Sequence, residues 1–150
     1  MIERVRGVLI TPTNELVTIR RQRPDTPTYW VLPGGHVEST DDTLEQALHR
    51  EIREELGGTA SLHSLIHVLD GDEDRQHIYL GSIHDWSLAD RSGPEFADHG
   101  RGSYDLHLVP FTTAGLASID LKPDAVARLL AQTIRDTIDP FDLPDLRTSL

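Results

Sequence analysis

The segment from residue 43 to residue 56 constrains this chain more than any other. Leu44, Leu48, Ile52 and Leu56 recur at four-residue spacing, the apolar stripe of an amphipathic helix. Asp42 is the expected N-cap, with Glu45 three residues on as in a capping box, and Gly57-Gly58 supplies the stop. Glu51, Glu54 and Glu55 stand at i, i+3, i+4 spacing on one face of that helix. Like charges so placed destabilise a helix by about 0.2–0.5 kcal/mol per pair. Glu55 also falls between Leu44 and Leu48, at the edge of the apolar stripe, where a plain surface helix carries no acid. Two readings follow. Either Arg50 and Arg53 neutralise a solvated acidic face, or the carboxylates hold a hard divalent cation, which takes oxygen ligands and keeps waters for substrate phosphates.

The segment just upstream favours the cation. Pro33-Gly34-Gly35 ends a short apolar run, Tyr29-Trp30-Val31-Leu32, and leads through a loop from His36 to Asp41 into the helix. Glycines there let the backbone approach a ligand or metal closely, so that backbone carbonyls of the loop can complete a coordination shell. The region between Gly35 and Gly58 holds seven acids against two arginines, a large part of the net charge of −11. An acidic chain of this kind does not grip nucleic acid, which requires a basic surface, nor a polyanionic membrane surface. A phosphate substrate remains open to it, because a bound cation supplies the missing positive charge.

The rest of the chain reads as one domain, as expected for 150 residues. Strands are expected over residues 4–11, 15–21, 29–32, 61–69, 76–83 and 104–111, with a turn at Thr13-Asn14. A second helix is expected from about Pro123 to Asp136. Strands mixed with two helices suggest an α/β domain with helices on a mixed sheet. The end, with Pro140, Pro144 and three aspartates, reads as a tail that is loose or packs through Phe141, Leu143 and Leu146. The absence of cysteine excludes disulfides, thiolate metal sites and cysteine nucleophiles. No signal core and no membrane-length apolar run is present, so a soluble, cytoplasmic protein is the expectation.

Gly35 through Gly58, GHVESTDDTLEQALHREIREELGG, resembles the signature box of the Nudix hydrolases. The match is carried by Arg50, Glu51, Ile52, Glu54, Glu55 and Gly57, and by the approach Trp30-Val31-Leu32-Pro33-Gly34-Gly35 with Glu38. Three departures stand out. The first acid of the box is Asp41 or Asp42 instead of Glu, the stretch from Gly35 to Arg50 is one residue too long, and the last apolar position is Gly58. The resemblance implies an α/β/α sandwich over residues 1–137, followed by a tail at 138–150. It implies a Mg²⁺- or Mn²⁺-dependent pyrophosphohydrolase of a nucleoside diphosphate linked to another moiety, of the nucleoside triphosphate or nucleotide-sugar type. Glu51, Glu54, Glu55 and the carbonyl of Gly35 would hold the metal, Glu51 or a carboxylate from a later loop would act as base, and Arg50 would orient the carboxylates. It further implies a homodimer, with the tail as a candidate arm across the partner. The other reading is a Nudix-fold sensor that binds a nucleotide without cleaving it.

Outside the box, Glu95 lies in the loop Ser92-Gly93-Pro94-Glu95-Phe96 and is the candidate later carboxylate. Arg20, Arg21 and Arg23 form the densest basic cluster; strand alternation puts Arg21 and Arg23 on one face as candidate phosphate clamps. Tyr29 and Trp30 are candidates for stacking on a base, with core packing the favoured alternative, and His36, with Gly34 and Gly35, for contact with the substrate. Neither a His-Glu-x-x-His motif nor a Walker loop occurs. The marks of the ADP-ribose, diadenosine-polyphosphate and NADH subgroups are missing as well, so the substrate is not named by motif.

Overall fold

The computed structural model describes residues 1–87 and 103–148. Eight strands form one mixed sheet: β1 (Ile2–Ile10), β2 (Glu15–Arg23), β3 (Thr26–Val31), β4 (Gly34–His36), β5 (Thr59–Asp70), β6 (Asp74–Asp85), β7 (Ser103–Pro110) and β8 (Leu121–Lys122). Three helices accompany it: α1 (Leu44–Leu56), α2 (Thr113–Ala117) and α3 (Asp124–Arg135). The main strand order is β5-β6-β1-β2-β3-β8, with β4 on β1 and β7 on β2. β1 runs parallel to β6 and β3 parallel to β8, and the other pairings are antiparallel.

Two apolar clusters cover the two faces. Val5, Leu9, Val17 and Tyr79 pack under Ala47, Leu48, Ile52 and Leu56 of α1. Val8, Ile10, Leu16 and Leu80 pack under Leu116 of α2 and Val126 and Leu130 of α3. The arrangement is an α/β/α sandwich. Alternation along β1, where Val5 and Leu9 face α1 and Val8 and Ile10 face α3, is what a strand buried on both sides requires.

The start of α1 departs from expectation by one residue. Thr43, not Asp42, is the N-cap, and its side chain accepts from the Gln46 N–H at 3.0 Å. The Gln46 side chain reaches back to the Asp42 N–H at 3.0 Å, so Gln46 replaces Glu45 as the reciprocal partner of the capping box. At the other end Gly57 adopts a left-handed φ of 61° and closes the helix onto the Arg53 carbonyl.

β1 and β2 are joined at Thr13-Asn14, with Asn14 at φ 58°, but they pair only where Ile10 meets Leu16. Beyond that point they diverge. β4 fills in beside β1, with Val5 opposite Gly35, while β3 fills in beside β2, with Arg21 opposite Tyr29. The strand character of Gly34–His36 is not visible in the sequence, where Pro-Gly-Gly reads as a loop. Hydrogen bonds from the Gly7 N–H to the Pro33 carbonyl (2.8 Å) and from the Val37 N–H to the Glu3 carbonyl (2.9 Å) pin it in place. Two short elements, α2 and β8, also escaped the sequence reading.

The tail folds back on its own chain. Phe141 and Leu143 pack against the α3-side core. Asp145 accepts from the Leu65 N–H at 3.0 Å, and Arg147 donates to the His63 carbonyl at 2.7 Å, so both residues occupy hydrogen-bonding groups of β5. Leu146 stays 38% exposed, and the tail through residue 148 is engaged within one chain instead of extending from it as an arm. No helix among the described residues is long and apolar enough to cross a membrane.

Ile52 is fully buried where α1 meets the sheet. Ile52→Ala is expected to lower the unfolding free energy by about 2–5 kcal/mol in urea denaturation, as deletion of buried branched side chains does.

Candidate active site

The fork between β1 and β2 is the place where the two arms of the sheet leave a cavity of about 600 Å³. Arg4 and Arg6 of β1, Gly34, Gly35 and His36 of β4, and Glu51 and Glu55 of α1 line one side. Arg21 and Arg23 of β2, Tyr29 of β3 and Tyr104 of β7 line the other.

Glu55 ties α1 to the fork. It is only 5% exposed, and its Oε1 accepts from the Gly34 N–H at 2.8 Å. A buried carboxylate is costly unless hydrogen-bonded, and this bond explains how an acid sits at the edge of an apolar stripe. Gly34 holds φ at 147°, and any Cβ there would collide with the Val5 carbonyl oxygen. At Gly35 a Cβ would lie 2.7 Å from Glu51 Oε1, so the glycine makes room for that carboxylate against the backbone.

Arg50 is the hub of the acidic face. Its Nε and Nη2 donate to the two oxygens of Asp41 at 3.1 and 2.9 Å. Its Nη1 donates to Glu51 and Glu54 at 3.1 and 3.2 Å, and Nη2 also reaches the His36 carbonyl at 3.0 Å. The Asp41 side chain is 3% exposed and also accepts from the Glu38 N–H at 2.8 Å. Asp41, and not Asp42, therefore holds the arginine across the lengthened loop. The Arg50 guanidinium holds the Asp41 carboxyl below the usual carboxylate range, against the opposing effect of burial, and Asp41 in turn raises the pKa of Arg50.

The arginines of the cavity are equally built in. Arg4 is paired with Asp74 at 2.9 Å. Arg6 donates to the Leu32 carbonyl at 3.2 Å; burial lowers its pKa, with Glu55 and Glu51 pulling the other way. Arg21 is 7% exposed and lies over the Tyr104 ring at 3.5 Å from its centroid. Burial, and then Arg4 and Arg6, hold the His36 pKa below that of an ordinary histidine, which favours a neutral imidazole in the cavity.

Of the residues singled out from sequence, Glu51, Glu55, Arg21, Arg23, Gly34, Gly35 and His36 meet at this cavity. Arg20 lies off it, 3.9 Å from Asp105. Glu54 sits on Arg50 and is not part of the cavity lining. Trp30 points elsewhere. As the strand neighbour of Tyr29 it faces the opposite side of the sheet, packs on the α3-side core and donates from Nε1 to His107 Nδ1 at 2.7 Å. Its expected place among the substrate contacts is therefore corrected to core packing. Glu95 lies outside the described residues. Arg4, Arg6 and Tyr104 were missed. The signal for the two arginines was their i, i+2 spacing in a strand otherwise apolar but for Glu3, whereas Tyr104 reaches the site only through the β2–β7 pairing.

Comparison with known proteins agrees with this geometry. The family model of the NUDIX domain matches residues 1–125. The chain belongs to the Nudix family. A Bacillus subtilis (strain 168) protein provisionally named an 8-oxo-dGTP diphosphatase is 35% identical over 78 residues, 51% of this chain, and the match spans about half (50%) of that relative's length. A MutT structure described for Aliivibrio salmonicida and Vibrio cholerae superimposes with a TM-score of 0.62 at 24% identity, over 88% of this chain and 98% of that one. A NUDIX hydrolase from Nitrosomonas europaea gives a TM-score of 0.63 at 16% identity, over 91% and 87% of the two chains. The fold and family inferred from the box are thus those of the protein.

The carboxylates present an all-oxygen donor set of the kind hard divalent cations take. Among the described residues no three acidic or histidine side chains converge on one point as ligands. Glu51 and Glu54 instead share the Arg50 guanidinium, and Glu55 is turned to Gly34. Two carboxylates thus gather about one positive charge, and Gly35 clears space beside Glu51.

Asp41 supplies a pH test of the hub. Its folded-state pKa lies below its unfolded value of about 3.9, so its contribution is complete above that value and is lost as pH falls through the folded pKa. The stability gap between wild type and Asp41→Asn, from urea melts, is expected to be flat above about pH 5 and to close toward pH 3.

Proposed function

We propose that this protein is a Mg²⁺- or Mn²⁺-dependent pyrophosphohydrolase acting on a nucleoside diphosphate linked to another moiety, of the nucleoside triphosphate or nucleotide-sugar type. The observation that carries the reading is the meeting, in one cavity, of four arginines with the Glu51 and Glu55 carboxylates of the box helix. Arginine forks suit phosphate oxygens. In this reading Arg21, Arg23, Gly34, Gly35 and His36 bind and orient the substrate, and Glu51, Glu54, Glu55 and the Gly35 carbonyl hold the metal. The metal, when bound, acidifies water and shields the phosphate charge. Glu51 takes the proton of the attacking water, whose oxygen bonds to phosphorus as the anhydride P–O bond breaks. Arg50, anchored by Asp41, sets the carboxylates and offsets their mutual repulsion. Glu95 is a second candidate for the base. The B. subtilis relative's name points to an oxidised nucleoside triphosphate as one substrate to include. A cytoplasmic setting and a homodimer belong to the same reading; a monomeric mass in light scattering would remove the dimer.

The test is pyrophosphate release from a panel of nucleoside triphosphates, and phosphate freed by phosphatase from the products of nucleotide sugars, with Mg²⁺ or Mn²⁺. Glu51→Gln is expected to lower kcat by about 10²–10⁴-fold, as loss of a general base does, and Glu54→Gln to lower it as loss of a metal ligand does, while the thermal melt of each stays cooperative. Wild-type turnover in both Glu54→Gln and Glu55→Gln would overturn the site assignment. Nucleotide binding with no turnover of any compound would favour the sensor.

A further inference from the structure

β5 ends the sheet. Among the described residues it pairs only with β6, so its outer side has no strand partner. An open edge of this kind is a template for another strand, and natural proteins kink it or cover it. Both devices are present here. The β5–β6 register shifts between Leu62 and Ser64 and again between Leu65 and His67, which confines the regular edge to the stretch about Ser64 and Leu65. The tail lies over that stretch, where Ser64 and Leu65 are both buried.

The cover is made by two side chains. Asp145 Oδ1 accepts from the Leu65 N–H at 3.0 Å, and Arg147 Nη2 donates to the His63 carbonyl at 2.7 Å. The two side chains bond each other at 2.9 Å, and Arg147 also reaches Glu45 of α1 at 3.4 Å. Arg147, and then the Leu65 N–H, hold the Asp145 carboxyl well below the usual carboxylate range, so it is an acceptor at neutral pH. Asp145 and Arg147 thus supply the acceptor and the donor that a further strand would bring.

The backbone pair they occupy is self-complementary. Where two residues face each other as a non-hydrogen-bonded pair of an antiparallel ladder, the carbonyl before each bonds the N–H after the other. Two copies of β5 related by a two-fold axis at Ser64 would join the His63 carbonyl of each to the Leu65 N–H of the other. Self-complementary contacts about a two-fold are the commonest way in which soluble proteins pair.

We propose that the β5 edge centred on Ser64 is a self-association surface for a second copy of this chain, and that the Asp145–Arg147 clasp closes it. The two side chains are 24% and 33% exposed, and an ion pair so open to water holds weakly. Phe141 and Leu143 anchor the tail separately on the α3-side core, so the clasp can lift without stripping that core. Lifting it exchanges two bonds within one chain for two between chains. The proposal does not depend on the pyrophosphohydrolase reading.

The test compares full-length Asp145→Ala/Arg147→Ala with wild type by light scattering and sedimentation over a concentration series. The variant is expected to reach twice the wild-type mass in one discrete step. The chain has no cysteine, so Ser64→Cys adds a unique thiol at the two-fold. Facing α-carbons of a non-hydrogen-bonded pair lie about 4.5 Å apart, within disulfide range. Oxidation of Ser64→Cys in the double-variant background is expected to give a covalent dimer, and Ser64→Cys with the clasp intact to keep the wild-type mass. An unchanged mass at every concentration would overturn the proposal. So would open-ended aggregates, a doubled mass with no disulfide, or a disulfide formed equally with the clasp intact. If the double variant loses its cooperative thermal melt, Arg147→Ala alone, which uncovers the His63 carbonyl, is read in the same assays. It is expected to show the same doubling and the same disulfide at higher concentration, and their absence would overturn the proposal equally.

Discussion

The hydrogen bond from the Gly34 N–H to the buried Glu55 carboxylate is the joint on which the site depends. It links the helix carrying all three box glutamates to the short strand that opens the fork. Both partners need it. Glu55 is an acid at the edge of an apolar contact, and unpaired it would carry the desolvation penalty of a buried charge. Gly34 must hold a backbone conformation closed to other residues, with its α-carbon pressed against β1. Once that joint is made, Gly35 lies against Glu51, and Arg50 can reach Asp41, Glu51, Glu54 and the His36 carbonyl together.

The divergence of β1 and β2 is the second element of the design. A fully paired hairpin would leave no space between them. Here the pairing ends at Ile10 and Leu16, and the inserted strands β4 and β3 bring different chemistry to each arm. Acids with a glycine-rich backbone gather on one arm, and arginines with tyrosine rings on the other. Arg4 and Arg6 stand between, tied to Asp74 and the Leu32 carbonyl and close enough to Glu51 and Glu55 to feel their charge. An acidic chain thereby concentrates four of its 14 basic residues at one cavity.

Much of this was legible in the residues. The period of Leu44, Leu48, Ile52 and Leu56 located α1, and the spacing of Glu51, Glu54 and Glu55 marked its chemical face. The main strands and α3 were found within a few residues, because apolar alternation and turn residues are local signals. Errors arose where local signals were silent or evenly balanced. Asp42 and Thr43 are both good caps, and only the position of Gln46 chose between them. Tyr29 and Trp30 are adjacent aromatic residues, and strand alternation sends one to the cavity and the other to the core. Which one goes where depends on the neighbours of β3, which lie far off in the chain.

By itself the sequence determined the α/β character, the box helix and the carboxylates it carries, since periodicity and spacing are properties of nearby residues. Tertiary structure alone decided that Asp41 anchors Arg50 across the lengthened loop, that the tail binds its own β5, and that Tyr104 and Arg6 join the site. Each of these rests on pairing between distant strands or on a loop's path. Such contacts are set by how the whole core packs, and no local pattern records them.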